Sequence, residues 1–392
     1  MKPFHALLGA ASGTHAADQL ALATLPLTAT LVFGAGPGTV GLLVAIQSAA
    51  WLLVSLPAGA WVDRFSRRNL LIAALAVALV ASIAAIAAAV LNAPAAPAAA
   101  AFAGAAGTVI YALTAISILP SLVPPSELPK ANARLELARA IASLAAPFVA
   151  GLLAQHLSPD WGYVLAAVGA ALALACVFAL PRTVPPAQPI ERPSMIASVK
   201  AGAAFVVRHE LLRGIGLCAI FWNFAFFALL AIWTPLALGV FKLTPAETGL
   251  AQSAIGAGQI LGALLAPYSS RAFAPQVTLV FGPAVSLVGI LLLAQAPAVA
   301  FFLIGFGPML WLICQTTLRQ LITPAPLMGR VNATIQTAIY GVRPLGALAA
   351  AAVAATLGVE AALLLVAVSF GLSTLVIVLS PLARLKTMPQ PA

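Results

Sequence analysis

Twelve apolar runs follow one another along this chain, each about the 20 residues that a membrane-spanning helix needs. Short polar segments separate these runs. Hydrophobic residues make up 62% of the 392 residues and charged residues only 7%, which leaves too little polar surface to cover a soluble globule. The sequence therefore predicts an all-α polytopic membrane protein with twelve transmembrane helices.

A proline-rich segment separates the sixth apolar run from the seventh. It reads PRTVPPAQPIERP from Pro181, and its prolines preclude a continuous helix. We therefore predict an N-terminal six-helix bundle over residues 1–180, a cytoplasmic linker over 181–209, and a C-terminal six-helix bundle with a short tail over 210–392. Ser194–His209 alternates apolar and basic residues, which predicts a helix along the inner membrane surface. The alternative is that this stretch begins the seventh span.

The two predicted bundles share a pattern in the turn after their fourth span. Positions 200 residues apart pair Pro124, Leu128, Lys130, Asn132 and Ala133 with Pro324, Met328, Arg330, Asn332 and Ala333. Each set follows an apolar run and opens the next one. This placement favours two pseudo-symmetric repeats.

The basic residues are distributed unevenly between the two predicted membrane faces. Fifteen of the 19 lysines and arginines fall on one face, Lys242 alone falls on the other, and three lie in or at the edge of spans. Because cytoplasmic loops carry the excess of lysine and arginine, both termini are predicted to be cytoplasmic, in a bacterial-type inner (plasma) membrane. The net charge of +10 is then an orientation signal, and basic residues that occur singly in short loops argue against nucleic-acid binding.

One turn holds the densest group of charges. Residues Pro57–Ile72 read PAGAWVDRFSRRNLLI and place one acid and three arginines between two apolar runs. Burying an ionised side chain at the centre of a lipid-embedded helix costs about 2.5–3.5 kcal/mol, so the turn is predicted to lie at a membrane face.

This turn resembles the signature of the major facilitator superfamily. The matching residues are Gly59-x-x-x-Asp63-Arg64-x-x-Arg67-Arg68. Three further stretches, beginning at Asp18, Ser121 and Thr317, resemble the drug:proton antiporter branch that includes macrolide-efflux and enterobactin-exporter-like proteins. The resemblance covers nearly the whole chain, and it implies two six-helix bundles and secondary active transport.

The resemblance also implies a cytoplasmic gate. In the family, the cluster of Asp63, Arg67 and Arg68 latches against neighbouring helix ends; the alternative is a topology signal alone. The equivalent turn of the second half keeps Arg271 but has no acid, so the latch is expected in the first half. A local ion pair at helical spacing in the fifth span is predicted to support the gate. The gate candidates are Gly59, Asp63, Arg64, Arg67, Arg68 and, for that ion pair, Glu136 and Arg139.

Asp18 is a carboxyl group inside the first predicted span. About 14 residues at 1.5 Å each place it roughly 21 Å along the helix, near or past the midplane. Acids within a membrane are candidates for function, and His15, three residues earlier, shares the helix face. We expect Asp18 to exchange a proton for substrate or to meet a cationic substrate. The alternative is a structural hydrogen bond to a neighbouring helix.

Arg343 is similarly deep, about 11 residues into the eleventh span. Arginine cannot lose its charge there, so it needs a partner or a wet cavity. Three interpretations stay open: an ion pair with Asp18 across the two halves, an anionic group of the substrate, or a packing role near the Pro344 kink.

The fifth span contains a small-residue pattern that resembles the exporter signature of the family. It reads Ala142-x-x-x-Ala146-Pro147-x-x-Ala150-Gly151 and suits a helix at a moving interface. Gly258 and Gly262 of the eighth span are expected to pack against it in the family arrangement. Polar and aromatic groups in other spans are candidates for lining a substrate cavity: Gln47, Trp222, Asn223, Gln259, Gln315 and Gln336.

Enzyme signatures are missing from the chain. No phosphate-binding loop, zinc-protease helix or nucleophile elbow occurs, and the three cysteines are too scattered for a metal site. We therefore expect a monomeric, proton-coupled exporter of drugs or amphipathic molecules that needs no cofactor beyond the proton gradient. The alternatives are an uptake symporter or lipid-handling carrier on the same fold and a non-transporting receptor or scaffold.

Overall fold

The computed structural model describes residues 2–94, 96–181, 195–324 and 327–389. The side chains of Lys2, Leu56, Asp63, Pro125, Pro129 and residues 195–201 lie outside that description. The described residues form α-helices joined by short turns, and no strand occurs among them. In chain order the helices are α1 (Lys2–Leu31), α2 (Pro37–Arg64), α3 (Arg67–Val90), α4 (Ala96–Ile118), α5 (Leu128–His156), α6 (Trp161–Phe178), α7 (Met195–Arg208), α8 (Glu210–Pro235), α9 (Pro245–Ala272), α10 (Pro275–Leu291), α11 (Pro297–Ile322), α12 (Met328–Leu357) and α13 (Val359–Leu379).

The predicted all-α membrane fold with twelve long helices is confirmed. All of these helices except α7 correspond to the predicted spans, and ten are long and apolar enough on their own to cross a membrane. The other two are α10, which has 17 residues, and α1, in which polar side chains such as Asp18 and Gln19 lower the mean hydropathy.

Proline and glycine set several of the helix boundaries. Proline occupies the first turn of α2, α9, α10 and α11, where a missing backbone N–H costs no hydrogen bond. Gly358 separates α12 from α13 with a φ of 92°, a backbone conformation that favours glycine. Five consecutive residues in a π-helical turn, Leu236–Val240, extend α8.

The helices form two compact units. Unit 1 contains α1–α6 together with Trp233–Ser253, and unit 2 contains α7, α8 up to Ile232, and the chain from Ala254 onward. The core of unit 1 is rich in alanine, which lets helices approach closely. Gly13 of α1, for example, lies against the backbone of Gly169 in α6. The domain bounds 1–180, 181–209 and 210–392 stay a prediction.

The linker helix α7 is separate from the seventh span. It ends at Arg208, the chain bends at His209, and α8 begins at Glu210. The alternative in which this stretch simply begins the seventh span is therefore wrong. Gly202 lies against the backbone carbonyl of Arg330 in α12, so α7 packs closely on α12 within unit 2. The expectation that it lies along the membrane surface stays a prediction.

Candidate functional site

Asp18 lines a small cavity in the interior of unit 1, whose mostly apolar wall contains a few polar groups. The cavity has a volume of about 30 Å³ and is enclosed by α1, α2, α3, α4 and α6. Alanine is the commonest residue in its wall, and the short alanine side chains leave the space open. The polar groups in its lining are Thr14, Asp18, Gln47, Ser82, Thr108 and Tyr163.

A chain of hydrogen bonds connects Asp18 to the neighbouring helix α5. Gln19 Nε2 donates to Asp18 Oδ2 at 3.3 Å, and Gln19 Oε1 accepts from Ser143 Oγ of α5 at 3.3 Å. The side chain of Thr108 in α4 lies near the Asp18 carboxyl group, while its own hydroxyl donates to the Gly104 carbonyl at 3.3 Å. Polar contacts therefore hold this carboxyl in place, and no cation forms an ion pair with it among the side chains that the structure describes.

His15 does not share the cavity with Asp18. It is absent from the lining and lies within electrostatic range of Glu136 and Arg139 on α5. Arg139 Nε is 2.8 Å from Glu136 Oε2, so the predicted local ion pair is confirmed. Because the Glu136 side chain is 68% exposed, the pair contributes little to stability. The expected pairing of Asp18 with His15 stays a prediction.

The charged turn between α2 and α3 contacts the end of α6. Arg68 Nη2 donates to the carbonyl oxygen of Phe178 at 3.0 Å, at the last residue of α6. An arginine at a helix C-terminus interacts favourably with the helix dipole. Ser66 Oγ caps α3 by accepting from the Asn69 N–H at 3.4 Å. Arg68 therefore joins two helix ends within unit 1.

The other members of the turn leave the latch untested. Asp63 is helical, and its side chain lies outside the described residues. Arg64 is exposed, the buried Nε of Arg67 has no hydrogen-bond partner among the described residues, and a Cβ at Gly59 would meet open space. The charge-relay latch stays a prediction.

The small-residue pattern of α5 packs against the first turns of α9. A Cβ on Gly249 would collide with the Pro147 carbonyl oxygen, and one on Gly151 would collide with the Pro245 carbonyl oxygen. The Phe148 N–H donates to Ser253 Oγ at 2.9 Å, immediately after the proline. These contacts bring two helix backbones together within unit 1. Ala146 is buried in the neighbouring alanine-rich core with residues of α1, α3 and α6.

The glycines expected to face α5 lie elsewhere. A Cβ on Gly258 would collide with the Phe302 carbonyl of α11, and one on Gly262 would come within 2.8 Å of the Phe306 carbonyl oxygen. The expected packing partner was therefore wrong, because both glycines face α11 within unit 2. Gly249, which sequence reasoning missed, is the α9 glycine against α5. Gly249 and Ser253 form a small-x-x-x-small pattern, which could have indicated a close helix contact at this position.

Arg343 of α12 has an amide and two aromatic rings as neighbours in unit 2. Its Nε donates to Asn223 Oδ1 at 3.2 Å, and its guanidinium carbon lies 5.0 Å from the ring centroids of both Phe227 and Tyr340. Asn223 Nδ2 in turn donates to the Ala219 carbonyl at 2.9 Å. Sequence reasoning missed the two rings, although Tyr340 lies one turn before Arg343. Pairing of Arg343 with Asp18 across the two halves stays a prediction.

The remaining cavity candidates are spread over several places. Gln47 lines the Asp18 cavity, and Trp222, next to Asn223, donates from Nε1 to Ser286 Oγ at 3.0 Å. Gln315 is buried and donates to Thr316 Oγ1 at 3.0 Å. Gln259 has a buried Oε1 without a hydrogen-bond partner among the described residues, and Gln336 is exposed.

Comparison with known proteins agrees with this architecture. The chain is 28% identical over 222 residues to the enterobactin exporter EntS of Escherichia coli O1:K1 / APEC, a match that covers 55% of this chain and 52% of that protein. EntS of Shigella boydii serotype 18 (strain CDC 3083-94 / BS512) matches with the same identity and coverage. The chain thus spans about half the length of these curated relatives.

Solved structures share the fold at low sequence identity. A D-xylose-proton symporter has a TM-score of 0.72 at 13% identity, covering 95% of this chain and 96% of that one. A bacterial homologue of the human lysosomal transporter Spinster has a TM-score of 0.71 at 14% identity, covering 98% of both chains. The sequence profile of the Major Facilitator Superfamily matches residues 7–347. The chain therefore belongs to the Major Facilitator Superfamily, a family of membrane transporters and not of enzymes.

Proposed function

We propose that this transporter is a proton-coupled exporter of drugs or other amphipathic small molecules, which works by alternating access. The observation that supports this proposal most strongly is the position of Asp18. It is a carboxyl group within the first membrane helix that accepts a hydrogen bond from Gln19 beside an internal cavity. No cofactor is needed, because the proton gradient supplies the energy.

Asp18 can couple a proton to a conformational change because its charge is costly in a dry environment. An ionised carboxylate within a lipid-embedded helix costs about 2.5–3.5 kcal/mol, whereas the protonated acid carries no charge. A state that wets Asp18 favours proton release, and a state that dries it favours proton uptake. Binding of substrate to one of these states then shifts the population of both.

The surroundings of Arg343 support an amphipathic substrate. Arg343 stays charged within the membrane, and Asn223 occupies one of its donors. The flat faces of a guanidinium group also bind aromatic rings, and in this structure the Arg343 guanidinium contacts the rings of Phe227 and Tyr340. We infer that the remaining donors bind an anionic or carbonyl group of the substrate, beside rings that bind its apolar part.

The contact between α5 and the start of α9 is proposed as a moving interface. Gly249 and Gly151 allow two backbones to touch, and the Ser253 hydroxyl binds the N–H that follows Pro147. Small residues make such a contact close without interlocking side chains, so it can part and re-form. In this proposal the charged turn at Asp63–Arg68 acts as the cytoplasmic gate.

The exporter relatives favour efflux over uptake. Efflux fits a monomer in a bacterial inner membrane with both termini cytoplasmic, as the charge bias predicts. Uptake by a symporter or lipid-handling carrier is the second candidate, because a proton symporter shares the fold. A receptor or scaffold would have no need for Asp18 within the membrane.

Reconstituted vesicles test the proposal. We expect an inwardly directed proton gradient to drive outward transport of at least one dye from a panel of amphipathic dyes of both charge signs. Asp18→Asn should abolish the pH dependence, since the amide cannot exchange a proton. Glu360→Gln is the matched control, because it makes the same carboxyl-to-amide change on an exposed residue at the start of α13. Unchanged gradient-driven transport by Asp18→Asn would refute the role of Asp18, and inward transport would show a symporter.

A further inference from the structure

The interior of unit 1 contains buried oxygens without hydrogen-bond partners in the described part of the chain. They are Thr30 Oγ1 and four oxygens nearer to Asp18, which are Gln47 Oε1, Tyr163 Oη, Thr24 Oγ1 and Thr28 Oγ1. Gln47 is 6% exposed, Tyr163 3%, and Thr24 and Thr28 1% each. Buried polar atoms are almost always hydrogen-bonded to protein or to ordered water. Five such atoms in one bundle therefore point to water as their partner.

These oxygens lie between Asp18 and one end of the bundle. Gln47 and Tyr163 line the same cavity as Asp18. Thr24 and Thr28 follow Asp18 along α1, and Thr28 lies about 15 Å further along the helix axis. Thr24 faces Gly162, next to Tyr163, and the Tyr163 hydroxyl lies near that of Thr28 without a hydrogen bond of normal geometry. Polar groups thus continue from Asp18 toward the end that the charge bias predicts to be extracytoplasmic.

The cavity is large enough for water. One water needs about 10–15 Å³ of this kind of volume, so about 30 Å³ holds roughly two molecules. Each water needs two to four polar partners, which the carboxyl, amide and hydroxyl groups of the lining supply. Two waters in the cavity would bridge Asp18 to Gln47 and Tyr163, whereas Thr24 and Thr28 lie outside the lining and would have to hold further waters.

Other charged groups do not compete within this space. Facing Asp18 from the surrounding helices, Tyr163 of α6 is the single further titratable group in the lining, and α2, α3, α4 and α5 contribute none to it. On α1 itself, His15 lies toward Glu136 and Arg139 of α5 and outside the lining. Protons that enter this space therefore reach Asp18 first.

We propose that protons reach Asp18 through the interior of the N-terminal bundle, along waters held by Gln47, Thr24, Thr28 and Tyr163. This inference rests on the proposed proton-carrying role of Asp18. It adds that the entry point lies at the extracytoplasmic end of α1 and α6.

Infrared spectroscopy after a rapid pH jump tests the route without a substrate. The probe is the proton alone, and the readout is the carbonyl band of protonated Asp18 in the purified full-length protein, assigned by its loss in Asp18→Asn. Thr28→Val combined with Tyr163→Phe removes two hydroxyls and keeps the side-chain shapes, which is nearly neutral for stability at unpaired sites. In this double variant we expect the rate of Asp18 protonation to fall by roughly tenfold or more. A tenfold fall corresponds to an activation barrier raised by about 1.4 kcal/mol.

Tyr111→Phe is the matched control, because the Tyr111 hydroxyl already donates to the Leu7 carbonyl at 3.4 Å and lies outside the lining. It should leave the protonation rate unchanged. Thermal unfolding curves must first show that the double variant and the wild type are both folded. Equal rates of Asp18 protonation in these two proteins would then overturn the route while leaving the role of Asp18 intact. Failure of Asp18 to change its protonation state in the wild type would overturn the proposed function itself. A carbonyl band that responds to sodium concentration and not to pH would show that Asp18 binds a metal cation and not a proton. That result would also overturn the inference.

Discussion

Gly249→Ala is expected to weaken the contact between α5 and α9. An added Cβ would collide with the Pro147 carbonyl oxygen, and it would lie 3.0 Å from the Pro147 carbonyl carbon and 3.1 Å from Gly151 Cα. All three are backbone atoms, so no side-chain rotation relieves the collision. The two helices must separate at this point to accommodate one methyl group.

The size of the effect follows from the cost of overpacking. Forcing extra atoms into a close-packed contact costs about 1–3 kcal/mol. An equilibrium between packed and separated helices would shift by roughly 5–150-fold for that free energy. Alanine in a helix is intrinsically better than glycine by about 1 kcal/mol, which offsets part of the loss in overall stability. We therefore expect Gly249→Ala to change the equilibrium between packed and separated helices more than it changes the free energy of unfolding.

Distance measurements between spin labels report this contact. Labels at the exposed residues His156 and Leu250 probe the end of α5 and the start of α9, in a background without the three native cysteines. We expect Gly249→Ala to increase the longer-distance population several-fold and to lower the transport rate. Gly371→Ala in α13 is the control, since its Cβ would meet nothing within 4 Å. A distance distribution identical to that of the wild type would refute the packing argument.

The other contacts give three further predictions. Arg343→Lys loses the flat guanidinium over two rings, so the Kd of the transported dye should rise by roughly 5–30-fold, for about 1–2 kcal/mol; an unchanged Kd in a thermal-shift titration would contradict a role in binding. Arg68→Gln removes the hydrogen bond from Arg68 to the Phe178 carbonyl. Because this contact stabilises the end of α6 by about 0.3–1 kcal/mol, amide hydrogen exchange in the last turn of α6 should accelerate up to about fivefold. Equal exchange rates would show that the contact contributes nothing. Gly202→Leu should detach α7 from the Arg330 carbonyl and speed trypsin cleavage at Arg208, and equal cleavage would argue against the close packing of α7 on α12.

Properties that depend on the local sequence were predictable. Apolar runs indicate the long helices because length and hydropathy alone decide what spans a bilayer. Glu136 and Arg139 formed the expected ion pair because residues three apart always share a helix face. The separate helix α7 likewise follows from its alternating basic and apolar residues.

Properties that depend on which helices meet were not predictable. Gly258 and Gly262 show the spacing expected of a helix contact, but that spacing does not name the partner, and α11 supplies it. His15 and Asp18 share a helix face, but α5 and the bundle interior present different surroundings to them. One of the two rings beside Arg343, Phe227, comes from α8, which is far from α12 in sequence. Rotation and neighbours are set by tertiary packing, which periodicity does not encode.

The central claim is that Asp18 exchanges a proton for substrate. Proton release on substrate binding tests it most directly, measured with a pH indicator in weakly buffered solution of the purified protein and a transported dye. We predict that the wild type and Glu360→Gln release protons on binding, and that Asp18→Asn binds the dye without proton release. The same proton release from Asp18→Asn as from the wild type would contradict the claim.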